Sequence, residues 1–111
     1  MAVLCHRSEL ADPGSLGFDL EDEGQDQFFV VRVGESIHAW RNSCPHVTGS
    51  PMAWRRHAYL DSSRNWIQCH AHGALFDPMT GACVAGPCVG QALVRVDVQV
   101  DAEGAVRLAA K

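Results

Sequence analysis

The chain has 111 residues, a length that suits one domain able to bury a real hydrophobic core. A formal net charge of −4 argues against nucleic acid, whose phosphates select basic surfaces. No apolar run is long enough for a membrane-spanning helix, so neither nucleic acid nor membrane is expected as a partner.

Cys5, His6, Arg7, Ser8 and Glu9 stand where a secretory leader needs an apolar run, so a cytoplasmic location is expected. Cysteines in such a compartment stay reduced, and five of them resist a purely disulfide reading. Metal chemistry is the better expectation.

The elements read mostly as β. Val3 to His6 predicts a short first strand. Residues 11–23, rich in Asp, Gly, Pro and Glu, predict a loop with a short strand near Gly17 to Leu20. The acidic stretch Asp19 to Asp26 reads as a solvated turn. Phe28 to Val33 is β-branched and aromatic, with Phe29, Val31 and Val33 on one face. Gly34-Glu35 then suits a type II′ hairpin leading into Ser36 to Trp40, because the first central position of that turn needs positive φ. Val94, Val96, Val98 and Val100 alternate with polar residues and predict one strand. Asp101 to Gly104 turns the chain and Ala105 to Ala109 returns. No segment shows a sustained helical period.

Residues 42–90 differ in kind. They hold four of the five cysteines, four of the five prolines, and the closely spaced His46, His70 and His72. Two groups stand out: Cys44-Pro45-His46 and Cys69-His70-Ala71-His72. Thiolates and imidazoles together suit zinc or an iron–sulfur centre. Structural zinc sites usually take Cys pairs and His pairs from separate knuckles. Here each group offers one Cys and one His, so each can reach both irons of a two-iron cluster. One iron then takes both thiolates and the other both imidazoles.

With Gly73-Ala74-Leu75-Phe76-Asp77, Thr80-Gly81 and Gly86-Pro87 added, this stretch resembles the Rieske-type [2Fe–2S] ferredoxin family. The resemblance implies an all-β fold, a small antiparallel β-sandwich carrying an inserted loop-rich cluster-binding subdomain. It implies a single domain over residues 1–111, the subdomain spanning about 42–90. It also implies one [2Fe–2S] cluster per chain, ligated by Cys44, His46, Cys69 and His72. Family spacing selects His72 over the competing His70. Gly73, Gly81 and Gly86 supply positive φ or close approach, and Pro87 closes a third loop over the cluster.

Departures from the family pattern carry information. The 22 residues between His46 and Cys69 exceed the usual spacing, and the surplus in 50–65 reads as a tolerated surface loop. Within it, Trp54, Arg55 and Arg56 offer either a docking patch or a solvated loop. The extra disulfide cysteines of high-potential relatives are missing, and Ala74 replaces a Ser that hydrogen-bonds a cluster sulfide. Fewer such bonds imply a low potential.

Cys83 and Cys88 are expected as unpaired, partly buried thiols, Cys5 as a strand residue, and His6, His38 and His57 as ordinary surface or strand histidines. Trp40 and Trp66 are expected to pack in or beside strands. No separate catalytic motif is present. The reading is therefore an electron carrier, not an enzyme, passing single electrons from a reductase to an oxygenase or another redox enzyme. The alternatives are a cluster-bearing small subunit of a reductase complex, or a zinc-stabilised interaction module.

Overall fold

Strand β3, Phe28–Val33, organises the molecule because both of its faces find apolar partners. The computed structural model describes residues 3–43, 52, 57–69 and 73–109. In chain order come β1 (Val3–His6), a single 3-10 turn (Arg7–Glu9), β2 (Gly14–Phe18), β3 and β4 (Ser36–Arg41). Then follow β5 (Ile67–Gln68), β6 (Leu75–Phe76), β7 (Cys83–Ala85), β8 (Arg95–Val96), β9 (Val98–Val100) and β10 (Ala105–Leu108). They form three antiparallel sheets, ordered β2-β3-β4-β8, β1-β10-β9 and β5-β6-β7.

The four-stranded sheet is the middle layer. Phe28 and Val30 face a core shared with Cys5, Leu10 and Val106, while Phe29 and Val31 face a second core shared with Tyr59, Ile67 and Phe76. Successive strand residues point to opposite faces, so one six-residue run serves both cores. Full burial of a side chain such as Phe29 or Val30 contributes about 1.5–3 kcal/mol. The first core makes the expected sandwich with β1, β9 and β10. The second joins the sandwich to the small β5-β6-β7 sheet, drawn from the middle of the sequence.

The β3–β4 hairpin forms as expected. Val33 pairs with Ser36, and Gly34 has φ 61° while Glu35 is not among the positive-φ residues. That combination belongs to a type II′ turn rather than a type I′ turn.

Several sequence expectations need correction. The strand expected near Gly17 to Leu20 is β2, and it starts earlier, at Gly14, where it pairs with Arg32. The valine-alternating run 94–100 is two strands. Its β8 half pairs with β4 and its β9 half with β10, with Asp97 between them. Periodicity reports an extended backbone but not its hydrogen-bond partner.

Asp26, expected in a solvated turn, is buried and accepts a hydrogen bond from Tyr59 Oη at 2.6 Å. The rest of that stretch is organised by Asp19, whose carboxylate accepts from the backbone of Glu23 and Gly24.

The surplus segment 50–65 is more than surface. Met52 and Tyr59 are fully buried, and Tyr59 stacks on Phe29 with centroids 4.1 Å apart. Leu60 bridges Ile67, and Tyr59 O accepts from Gln68 N–H at 3.0 Å. His57, expected as ordinary, pins this segment to β2: its Nδ1 accepts the Gly17 N–H at 2.8 Å. His6 also has a job, closing a capping box with Glu9 and reaching Glu103 O at 2.6 Å. Trp54, Arg55 and Arg56 lie outside the described residues. Among the described residues no helix is long and apolar enough to cross a membrane.

Candidate metal centre

Cys69 follows directly on β5 and is fully buried. Its N–H donates to Ala74 O at 2.9 Å, and its carbonyl accepts the Gly73 N–H at 2.7 Å. The thiol therefore stands at the root of a tight turn whose stem is the β5–β6 pair Gln68–Leu75. It belongs to the second core, with Trp40, Phe76 and Ala74. A dry, backbone-fixed cysteine is what an inorganic cluster needs from a ligand, and in this respect the residue fits one. The other expected ligands, Cys44, His46 and His72, and the competitor His70, lie outside the described residues.

Gly73, Gly81 and Gly86 have φ of 74°, 77° and 93°, as expected. Gly86 packs so closely on Ala74 that a Cβ there would sit 2.8 Å from Ala74 Cα. The turn around Pro87, closed by Gln91 N–H to Cys88 O at 2.8 Å, is thus seated against the turn that Cys69 begins. Cys83 forms no disulfide and its thiol donates to Ala85 O at 3.2 Å; Cys88 is fully buried. Cys5 lies in β1, and burial, reinforced by Glu9, pushes its thiol up to about 11, which leaves it unreactive.

On the approach to Cys44, Asn42 is buried. Its N–H donates to Gln27 O at 3.0 Å, its Nδ2 to Asp26 O at 2.9 Å, and its Oδ1 accepts the Met52 N–H at 2.7 Å. Neither Asn42 nor Met52 was marked by the sequence, because a single amide in a loop carries no periodic signal.

The loop after β6 is docked onto the middle sheet by Trp40 and Arg95. Trp40 Nε1 donates to Pro78 O at 3.3 Å, and Arg95 Nη2 donates to Met79 O at 3.1 Å. The Arg95 guanidinium lies 4.4 Å over the Trp40 ring. His38 Nδ1 is 3.0 Å from Arg95 Nη1, and burial first, then the Arg95 charge, lowers the His38 pKa.

The family model for the Rieske [2Fe-2S] domain matches residues 1–102. The chain belongs to the Rieske [2Fe–2S] domain family. The Rieske domain is similar to the ferredoxin of carbazole 1,9a-dioxygenase from Nocardioides aromaticivorans IC177, with TM-score 0.71 and 28% identity over 99% of this chain and 97% of that one. It shares its fold with a chain of the complex of reduced oxygenase and oxidized ferredoxin in carbazole 1,9a-dioxygenase, at TM-score 0.72 and 24% identity, covering 97% of this chain and 91% of that one. A putative NADH-dependent nitrite reductase small subunit from Mycobacterium tuberculosis has the same fold, at TM-score 0.63 and 21% identity, covering 99% and 94% of the two chains. No curated protein matches the chain at a significant level. As a Rieske domain, the protein carries a [2Fe–2S] cluster and is an electron carrier.

Proposed function

We propose that this chain is a ferredoxin component that takes single electrons from a reductase and delivers them to an oxygenase or another redox enzyme. Cys44, His46, Cys69 and His72 would hold the cluster through two thiolates and two imidazoles. The cluster supplies a one-electron redox couple. The chain's own residues hold it, keep Cys69 from water, and present a surface to partners.

The observation that carries this reading is Cys69, buried at the root of a turn closed by its own backbone bonds to Gly73 and Ala74. Strand β7 and the Pro87 turn packed on Ala74 add exposed apolar side chains: Val84 is 46% and Val89 65% exposed. Apolar surface at that end suits brief docking of a redox partner. Likeness to a dioxygenase's ferredoxin supports an oxygenase as the acceptor. Ala74 is fully buried and has no hydroxyl to donate, which favours a low potential within the Rieske range of about −150 to +300 mV. A cytoplasmic setting suits reduced thiols such as Cys83.

The test is iron and acid-labile sulfide analysis after anaerobic reconstitution, with an EPR spectrum of the reduced protein. About two irons and two sulfides per chain, and the low average g value of mixed Cys/His ligation, are expected. Zinc in place of iron ends the proposal. A cluster-bearing small subunit of a reductase complex is the second reading, favoured by the fold shared with the nitrite reductase small subunit. Stable copurification with a larger chain separates it from a diffusing carrier.

A further inference from the structure

The Asn42 carboxamide uses both of its halves, and its partners dictate its orientation. The Met52 N–H can only donate, so it meets Oδ1; the Asp26 carbonyl can only accept, so it meets Nδ2. One half of the side chain thus grips Asp26, two residues before β3. The other grips the residue that returns to the core after segment 43–51. Met52 is itself fully buried, in the same apolar cluster as Cys69.

We infer that Asn42 is a positioning residue for the cluster: its amide ties Asp26 to Met52, fixing where the chain leaves, at residue 42, and re-enters, at residue 52, the core that holds Cys69. The inference rests on the ligand reading above, because Cys44 and His46 lie within segment 43–51. The chemistry at position 42 is specific. A carboxylate there lacks the donor for Asp26 O, and an isosteric Leu lacks both groups, stripping the buried Met52 N–H and Asp26 C=O of this partner. Without the clamp the segment's ends separate more freely, and closing it again costs chain entropy. Ligands carried on a loosely rooted segment hold a metal less tightly.

The experiment compares Asn42→Leu and the gentler Asn42→Ser with Val106→Ala, all carrying the cluster. Val106 packs in the other core, so its truncation destabilises the fold without touching the clamp. Cluster release to excess iron chelator is timed at temperatures equally far below each variant's thermal midpoint. Reduction potential and the EPR spectrum are recorded alongside. The Asn42 variants are expected to release the cluster about 10–100-fold faster than Val106→Ala, with shifted g values and potential. Release rates and spectra matching those of Val106→Ala overturn the inference.

Hydrogen exchange in the unsubstituted holoprotein gives a reading that needs no variant. A protected Met52 amide supports the clamp, and exchange at the rate of an unfolded chain overturns it. Cys44→Ala run beside these separates the two claims. A native spectrum in Cys44→Ala removes the ligand reading and the clamp's role with it. A cluster-free Cys44→Ala beside an unaffected Asn42→Leu removes the clamp alone.

Discussion

His38 Nδ1 faces Arg95 Nη1 at 3.0 Å, so the imidazole accepts there and carries its proton on Nε2, a buried nitrogen with no hydrogen-bond partner among the described residues. Protonating Nδ1 would set two donors and two like charges against each other. The His38 pKa is accordingly lowered from its ordinary 6.5, by burial first and Arg95 second. A histidine lowered in the folded state leaves the unfolded chain holding more protons between the two pKa values. Its contribution to stability is therefore complete above about pH 6.5 and declines as pH falls below it. Thermal midpoints measured from pH 7.5 to 5 should fall more steeply in the parent protein than in His38→Gln. Parallel curves would show that this pair does not titrate with folding.

Tyr59→Phe removes the hydroxyl that donates to Asp26 at 2.6 Å while leaving the stack on Phe29. A buried hydrogen bond to a carboxyl group lost from one side costs about 1–3 kcal/mol. Urea unfolding should show that loss with an unchanged m-value. A cost near zero would mean that the Tyr59 side chain contributes through its ring alone.

Gly81 and Gly34 both have positive φ, but their surroundings differ. A Cβ at Gly34 meets nothing within 4 Å, whereas one at Gly81 meets the Trp40 ring at 2.5 Å. Gly34→Ala should cost about 1 kcal/mol of backbone strain, and Gly81→Ala a further 1–3 kcal/mol or so from overpacking. Equal losses in chemical denaturation would contradict a tight seat for Trp40.

For the cluster ligands, His72→Ala should lose the cluster's absorbance and EPR signal, while His70→Ala keeps both. The opposite result would reassign the second loop. His46→Cys or His72→Cys should lower the potential or destroy the cluster, since a thiolate adds negative charge where an imidazole adds none.

Ala74→Ser should raise the reduction potential. One hydrogen bond worth about 0.5–1.5 kcal/mol more to the reduced form corresponds to roughly 20–65 mV for one electron. Protein-film or dye-equilibrated titration reads this directly, and an unchanged or lower value would remove Ala74 as a cause of low potential.

Much of the base was legible because the β-branched and aromatic content of Phe28 to Val33, and the turn at Asp101 to Gly104 that returns Ala105 onward, are read locally. The type II′ turn at Gly34-Glu35 followed from one glycine. The partner switch within 94–100 was not legible, since Val96 and Val98 look alike whichever sheet they join. The burial of Asp26 was hidden because its donor, Tyr59, lies 33 residues away. Of the site, the paired Cys/His groups and the glycines read clearly, each being a local feature. Asn42 and Met52 did not, because their bond matters only once the segment between them is closed.

Asp97 leaves a lasting mark on the architecture. Since β8 is the rim of one layer and β9 the rim of the next, a single stretch of backbone is committed to both. A one-residue slip in either pairing would turn that strand's inward valine, Val96 or Val98, outward. The two layers must find their alignment together, and a strand error in one cannot be tolerated quietly by the other.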